Sequence, residues 1–308
     1  MYQKSIEEAK KRLFRGELVI FPTETVYGIG GNANNRKSIE LIYKTKNRPI
    51  NNPLICHFAN MEEIEKNFIL KDKDYELANT FWPGPLTLIL EKKINSMISP
   101  LLSNNKNQVG CRIPNNKISL SLLSIIDFPI AAPSANIATR TSVTSIKDLD
   151  YKLKEIFYID GGSSVLGLES TVIKTTKNGC KILRLGSLTI EDIKIKFPKY
   201  EISIDQSDVS PGNQLKHYSP IKPIRINVNF VNKNETLLNF GINELTSDIK
   251  SLNLSINENL SDASYNFYNY LNILDNISCN GIAVAPIPDQ GLGKTINDRL
   301  RRASYKDE

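Results

Sequence analysis

Short apolar segments of strand type alternate with segments of helical spacing along the first two hundred residues. The strand-type segments lie at 18–21, 53–58, 86–90, 130–132, 157–160, 171–174 and 181–185. Apolar residues recur at helical spacing near 6–13, 38–44, 74–81, 118–126 and 189–197. Because strands and helices intermixed in this way pack as layers, the pattern predicts one α/β domain of roughly 200 residues around a twisted sheet.

A second, smaller domain is predicted after a break in this pattern. The stretch 207–223 contains three prolines and one glycine and has no apolar periodicity, which is typical of a linker. Beyond it lie strand-type segments at 224–230, 236–240 and 281–286, and helical patterns at 263–274 and 294–302. We therefore expect domains at 1–203 and 224–308, joined by a linker at 204–223, with the second domain also of the α/β class.

Composition narrows the class of protein. Hydrophobic residues make up 40% and charged residues 23% of the chain, as in ordinary globular proteins. The net charge of +6 is dispersed over lysines without an arginine-rich block, which is a weak sign of nucleic-acid binding. The N-terminus lacks the apolar core of a signal peptide, and no run reaches the ~18 apolar residues of a membrane span. We expect a cytoplasmic protein.

The cysteines and histidines argue against a metal centre. Four cysteines are scattered without a C-x-x-C pair, and the chain has only two histidines, His57 and His217. Structural zinc sites need such ligands at close spacing, so none is expected, and the cysteines are interpreted as buried free thiols.

The first candidate site is Pro22-Thr23-Glu24-Thr25-Val26-Tyr27-Gly28, directly after a strand-type segment. If the segment is extended, Thr23, Thr25 and Tyr27 share a face. Their three hydroxyls would then suit an amino acid or a sugar. A strand simply rich in β-forming residues explains the pattern equally well, and both interpretations stay open.

The second candidate site is Lys46-Asn47-Arg48-Pro49. In an extended chain, which Pro49 favours for Arg48, the two cations share a face and can converge on one anion. Arg48 would bind the anion bidentately and Lys46 would act as a point charge. The alternative is a solvated basic loop.

Polar residues also follow buried strands elsewhere. Ser134 and Asn136 come after 130–132, and Arg112 and Arg184 end two other strand-type segments. Ligands of α/β proteins bind outside such strand ends, so these side chains are candidates for phosphate or carboxylate binding. Ser134 and Asn136 could equally cap the next element.

Taken in order, these motifs resemble the threonylcarbamoyl-AMP synthase family, in its two-domain branch with a YrdC-like catalytic domain. The resemblance covers most of residues 1–200. It rests on the two motifs above together with Pro53-Leu54, Trp82-Pro83-Gly84-Pro85-Leu86-Thr87, Arg112-Ile113-Pro114, Pro133-Ser134-Ala135-Asn136, Glu169-Ser170-Thr171-Val172 and Arg184-Leu185-Gly186. The segment from Ser210-Pro211-Gly212 to His217-Tyr218-Ser219-Pro220 resembles the family's tether between domains, although Asn213-Gln214-Leu215-Lys216 departs from its more basic and aromatic middle.

The resemblance implies a YrdC-like domain followed by a smaller Rossmann-like α/β domain. It also implies that L-threonine, bicarbonate or CO2, and ATP condense to threonylcarbamoyl-AMP and pyrophosphate. The product would pass to a tRNA threonylcarbamoyl transferase complex for N6-threonylcarbamoyladenosine at position 37. ATP, with Mg²⁺, is the implied cosubstrate, and no protein-bound metal or membrane partner is expected.

By motif position, the resemblance implies two groups of site residues and two catalytic cations, Lys46 and Arg48. The threonine site would comprise Thr25, His57, Arg112, Ala132 and Ser170. The ATP site would comprise Arg48, Asn52, Gln108, Ser134, Asn136, Ser142, Arg184 and Tyr218. Catalysis would then consist of positioning and charge neutralisation.

Two other functions fit parts of the pattern. A nucleic-acid-binding module with the same fold would use the basic concavity without catalysis, and uncharged positions such as Thr25 and Ser170 argue against it. Carbamoyl transfer of the hydrogenase-maturation type shares the domain, but this chain lacks the zinc-finger and acylphosphatase-like segments of that class.

Overall fold

The computed structural model describes residues 2–205 and 217–305 and contains two sheets with helices around them. Within residues 2–205, ten strands form one mixed sheet in the order β1-β2-β7-β3-β6-β5-β8-β9-β10, with β4 paired to β5. The strands are β1 Val19–Phe21, β2 Gly28–Asn32, β3 Ile55–His57, β4 Phe68–Ile69, β5 Leu86–Lys92, β6 Gln108–Arg112, β7 Ile130–Ala131, β8 Thr171–Thr175, β9 Gly179–Arg184 and β10 Glu201–Ile204.

Six α-helices accompany this sheet in the same described range. They are α1 Tyr2–Phe14, α2 Arg36–Lys46, α3 Met61–Asn67, α4 Asp72–Phe81, α5 Lys117–Ser124 and α6 Ile190–Lys196. In α1, Ile6, Ala9 and Leu13 are buried, because a spacing of three and four residues places them on one helical face. Helix α2 begins at Asn35, whose side chain accepts from the Lys37 amide, and ends at Asn47, which has a left-handed φ of 51°.

The second sheet is parallel throughout, with the order β11-β14-β12-β13. Within residues 217–305 its strands are β11 Ile224–Arg225, β12 Glu235–Asn239, β13 Ser251–Asn253 and β14 Gly281–Val284, and its helices are α7 Leu260–Asp275 and α8 Gly291–Ala303. Helices α7 and α8 pack their buried faces with this sheet into a core that also takes in Val26 and Leu168 from the first part of the chain. The predicted α/β class is thus confirmed for both parts of the chain.

Two strand predictions were wrong. Residues 157–160 form only an isolated bridge, from Tyr158 to Ile20. The segment predicted at 224–230 is a strand only over β11, although the Val228 amide still donates to the Val284 carbonyl at 3.0 Å. Strand β2, which the pattern did not predict, is rich in glycine. A Cβ on Gly30 would lie 2.4 Å from the Ile130 side chain, so the packing of β2 requires glycine there.

The extended conformations predicted for both candidate motifs were also wrong. The chain bends between Thr23 and Val26, and β2 begins only at Gly28. Lys46 is the last residue of α2, and the left-handed Asn47 separates it from Arg48. Lys46 and Arg48 therefore do not share a face, whereas Thr23 and Thr25 are brought together by the bend rather than by an extended strand.

Cys56, Cys111 and Cys180 are buried free thiols, and Cys279 is only partly buried. Among the described residues, no helix is both long and apolar enough to span a bilayer.

Candidate active site

A cavity lies against one face of the large sheet, beside β2, β3 and β7. Ile55 and His57 line it from alternate positions of β3, so both point to the same face. Arg112, at the end of β6, pairs in register with His57. The predicted residues that line the cavity are Thr25, Arg48, His57, Arg112, Ala132, Ser134, Ser170, Arg184 and Tyr218.

The hydroxyl-rich turn folds around Thr23. The Thr23 hydroxyl donates to the Val26 carbonyl at 2.6 Å, accepts from the Thr25 and Val26 amides, and lies 2.8 Å from the Thr25 hydroxyl. The Tyr27 hydroxyl instead donates to the Gly162 carbonyl at 2.6 Å. Thr23, Thr25 and Tyr27 all line the cavity, but only the Thr23 and Thr25 hydroxyls lie together, so the predicted face of three hydroxyls forms only in part.

Arg112 is fixed by three contacts inside the protein. Its Nη1 donates to Thr25 Oγ1 at 2.9 Å and its Nε to the Gly84 carbonyl at 3.2 Å. Its Nη2 lies 2.6 Å from Glu24 Oε1, and both side chains are 4% exposed. Glu24 is a functional candidate that the sequence reasoning did not select, although it is the one carboxylate of its motif. A rigid, paired guanidinium is suited to holding a ligand carboxylate in one orientation.

His57 supplies an uncharged imidazole. Burial, together with the nearby charge of Arg112, lowers the pKa of His57 to about 3. Its Nδ1 has no hydrogen-bond partner in the part of the chain that the structure describes. At neutral pH this uncharged ring can donate a hydrogen bond to a ligand or accept one from it.

Arg48 and Arg184 bring further positive charge to the cavity lining. Arg48 is held by Asn52, whose carbonyl accepts from Nε at 3.1 Å, and by the Pro53 carbonyl, which accepts from Nη2 at 3.0 Å. Burial lowers the pKa of Arg48 to about 10, so the guanidinium stays charged at neutral pH. Arg184 Nη2 donates to the Ser170 carbonyl at 2.7 Å and lies 3.1 Å from its hydroxyl.

Lys46 lies behind the cavity wall rather than on it. It is 1% exposed, and its Nζ donates to the Ser134 carbonyl at 2.5 Å and to the Asn136 carbonyl. Burial, with Arg48 nearby, lowers the pKa of Lys46 well below its usual range. In this structure Lys46 therefore positions the Ser134–Asn136 segment, and its direct contact with a ligand stays a prediction.

Three other predicted residues contact the lining residues. Asn52 holds Arg48, Asn136 accepts from the Ser134 hydroxyl, and the Ser142 hydroxyl donates to Glu169. These three residues lie behind the cavity wall and hold the lining residues in position.

Gln108 does not belong to this group. It begins β6, whereas Arg112 ends it, so the two lie about 13 Å apart along the strand. Its side chain is exposed and accepts from Lys174 Nζ at 3.1 Å. The predicted place of Gln108 in the ATP site is not reproduced, because the local sequence did not show which end of β6 faces the cavity.

The chain returns to the cavity at His217 and Tyr218. Both are buried, and the Tyr218 backbone has a left-handed φ of 58°. Burial, followed by the charge of Arg48, lowers the pKa of His217 well below its usual range. The linker residues 206–216, including the Asn213–Lys216 stretch, lie outside the described residues.

Glu169 lines the cavity and is a ligand-site candidate that the sequence reasoning missed. It lies beside Ser170, yet its partners are far away in sequence and could not be read from the local pattern.

No group of three or more His, Cys, Asp or Glu side chains that could hold a metal ion occurs within residues 2–205 and 217–305. Glu169, which lines the cavity, and Glu24, which lies behind Arg112, each contact an arginine. This donor set does not fit a protein-built magnesium site.

Arginines, hydroxyls and a neutral imidazole converging over a mixed sheet define an α/β enzyme that binds an anionic small molecule. The model of the Sua5_yciO_yrdC family, described as "Telomere recombination", matches residues 11–186. The model described as "Threonylcarbamoyl-AMP synthase, C-terminal domain" matches residues 188–304. The chain belongs to the threonylcarbamoyl-AMP synthase family, whose enzymes are of the nucleotidyl-transferring type.

Relatives that match nearly the whole chain support the same family assignment. The threonylcarbamoyl-AMP synthase of Pyrococcus abyssi is 32% identical over 98% of this chain and 96% of its own length. The threonylcarbamoyl-AMP synthase of Bacillus subtilis is 32% identical over 97% of this chain and 92% of its own length. A crystal structure of P. abyssi Sua5 complexed with L-threonine has a TM-score of 0.85 at 31% identity, covering 97% of this chain and 94% of that one.

Proposed function

We propose that this protein condenses L-threonine, bicarbonate or CO2, and ATP to threonylcarbamoyl-AMP and pyrophosphate. The observation that carries the proposal is that one cavity is lined both by Thr25, His57 and Arg112 and by the guanidinium groups of Arg48 and Arg184. We assign the first group to threonine and the second to ATP. The relatives' names and the threonine-bound P. abyssi structure support the same reaction.

At the threonine end, Arg112 binds the amino-acid carboxylate while Glu24 and Thr25 hold the guanidinium in place. The uncharged His57 and the Ser170 hydroxyl accept or donate hydrogen bonds to the amine and the side-chain hydroxyl. Ala132 leaves room beside them. Burial and the positive charge of Arg112 both disfavour the ammonium form of the substrate, and the neutral amine is the form that attacks CO2 to give the carbamate, with loss of one proton.

At the ATP end, Arg48 and Arg184 bind phosphate oxygens, and Ser134, whose hydroxyl donates to Asn136 in this structure, contacts the nucleotide. Lys46, Asn52, Asn136, Ser142 and Tyr218 position these groups or contact the nucleotide, and Gln108 does not reach the cavity. The carbamate oxygen then attacks the α-phosphorus and pyrophosphate leaves. Positioning and electrostatic stabilisation account for the rate, and no covalent protein intermediate is needed.

Mg²⁺ enters as part of the MgATP substrate in this proposal. The carboxylates that could otherwise bind it are held by Arg112 and Arg299. The metal would therefore be bound by phosphate oxygens, where it neutralises charge on the triphosphate.

The wider role follows from the reaction. We propose that residues 1–203 form the catalytic domain and 224–308 a second domain, with 204–223 as the tether. The protein acts in the cytoplasm and passes threonylcarbamoyl-AMP to a tRNA threonylcarbamoyl transferase complex.

Pyrophosphate release from ATP tests the proposal, with threonine and bicarbonate supplied or withheld in turn and the adenylate identified by mass spectrometry. We expect release only when both are present. Release that ignores threonine would exclude the reaction, and tight RNA binding with a steep salt dependence and no turnover would favour a nucleic-acid-binding module instead.

A further inference from the structure

Arg299, on α8 of the second sheet domain, is completely buried and reaches the wall of the cavity. Its Nε lies 3.0 Å from Glu169 Oε2, and its Nη2 donates to the Leu185 carbonyl at 2.6 Å. Its Cζ lies 4.5 Å above the centre of the Tyr218 ring, which also lines the cavity. One side chain thus joins the second domain to three segments around the ATP end.

Glu169 is the acidic group at this end, and its charge must be balanced before a polyanion can bind. Burial alone would raise the pKa of Glu169, but Arg299 and Arg184 lower it below its usual range. The carboxylate is therefore ionised. It also accepts hydrogen bonds from the Ser142 hydroxyl and, at 2.8 Å, from the Tyr268 hydroxyl of α7.

An ionised carboxylate in a phosphate site repels the ligand unless a cation neutralises it. Arg184 is close enough to act as that cation, but its Nη2 is directed at Ser170. Arg299 balances the charge of Glu169 from outside the cavity, and its Nη1 also contacts Asp298, which Arg302 contacts in turn. The Glu169 charge is therefore not left to Arg184 alone, which lines the cavity.

We propose that Arg299 is a positioning residue of the ATP site, through which the second domain sets the charge and shape of the nucleotide end. Loss of Arg299 leaves Glu169 ionised without this partner and removes the cation that stacks on Tyr218. This inference rests on the proposed function for its kinetic test, although its binding test is independent of turnover.

The kinetic test compares Arg299→Met, Glu169→Gln and the double variant in the pyrophosphate-release assay. We expect Arg299→Met to raise KM for ATP by about tenfold or more, because one partner of a buried ion pair is removed. KM for threonine should change by no more than about twofold. If charge neutralisation is the role, the double variant should recover most of the lost ATP affinity, since the unbalanced charge is then gone.

A purely structural clamp gives a different result. The double variant would then be at least as impaired as Arg299→Met, and KM for threonine and kcat would change together with the melting temperature. Either that pattern or an unchanged KM for ATP in Arg299→Met overturns the proposal.

The matched control is Arg225→Met, which breaks another Arg–Glu pair of the second domain. Arg225 Nη2 lies 2.7 Å from Glu235 Oε2, and neither residue lines the cavity. We expect lower stability in this variant with an unchanged KM for ATP. An equal rise in KM for both arginine variants would contradict a specific role for Arg299.

ATP binding by calorimetry keeps the inference testable if Arg299→Met unfolds or if the wild type shows no threonine-dependent turnover. Arg299→Lys keeps the charge but not the guanidinium geometry, so its affinity for ATP should lie between those of the wild type and Arg299→Met. If Arg299→Met does not fold, the ATP affinity of Arg299→Lys should still lie below that of the wild type. ATP affinity equal to that of the wild type in Arg299→Met, or in Arg299→Lys if only that variant folds, overturns the proposal. Lack of turnover in a wild type that binds ATP would refute the proposed reaction alone.

Discussion

Arg48 tests the ATP end at the scale of a single residue. Its guanidinium lines the cavity and is oriented by Asn52 and Pro53 rather than by a carboxylate. We expect Arg48→Ala to lower pyrophosphate release by about 100-fold or more, because charge developing on the phosphates loses a fixed cation. The melting temperature should fall by no more than roughly 4 °C. Wild-type turnover would contradict the assigned role, and a collapsed melting curve would show a structural one.

The lowered pKa of His57 predicts that the stability of the folded protein depends on pH. The pKa is about 3 in the folded chain and near 6.5 when unfolded, so the unfolded state binds the extra proton between these values. The stabilisation from the neutral ring is complete above pH 6.5 and is lost as the pH falls toward 3. Between pH 7 and pH 5 the free energy of unfolding should drop by about 2 kcal/mol from this group.

Urea unfolding of the wild type and of His57→Asn at both pH values measures this contribution. The variant should lose the His57 share of the drop and keep that of His217, whose pKa is lowered in the same direction. An equally steep pH dependence in both proteins would show that His57 does not titrate in this way.

At the scale of elements, β2 depends on glycine where it crosses the sheet. A Cβ at Gly30 would lie 2.4 Å from Ile130 and 2.8 Å from Phe21, whereas a Cβ at Gly28 would have its nearest neighbour at 3.2 Å. We expect Gly30→Ala to lower the free energy of unfolding by about 1–3 kcal/mol through overpacking, and Gly28→Ala to cost less. Denaturant curves for both variants check the order, and the reverse order would contradict this account of the strand.

The elements also show where sequence reasoning succeeds. The spans of α1, α2, α4, α7 and α8 follow from apolar spacing, because one face of each helix is buried. Strand β2 was missed because glycines carry no strand preference, and its place is decided by contacts with Phe21 and Ile130. Tertiary packing, not local preference, selects that strand.

The site residues also divide into those that local sequence predicts and those that only the folded chain brings together. Thr25, Arg112, Ser134, Ser170 and Arg184 could be predicted because each stands at a strand end or in an ordered motif.

The roles of Glu24 and Glu169 could not be predicted locally, since Arg112 and Arg299 join them only after folding. Arg299 is 130 positions from Glu169. An ion pair between residues so far apart in the sequence cannot be recognised from the residues around either one.

At the scale of the whole molecule, the contacts between the two sheet domains predict cooperative unfolding. Besides Arg299, the Thr295 hydroxyl donates to the Gly186 carbonyl at 3.0 Å, and the Ser264 hydroxyl donates to the Leu166 carbonyl. We expect a single calorimetric transition for the wild type. Arg299→Met should broaden or split it, while Arg225→Met, which breaks a pair inside the second domain, should shift a single peak. Two transitions in the wild type would show that the domains unfold independently.

The buried pair of Arg299 and Glu169 also limits how parts of this protein can be exchanged with those of a relative. Each member of the pair lies in a different domain, and each is costly to bury without the other. A chimera that takes its first domain from one parent and its second from another would inherit compatible halves only if both parents carry this carboxylate and this guanidinium at matching places. Recombination between such proteins is therefore constrained at two distant positions at once, although neither position lies in the tether where the parents would be joined.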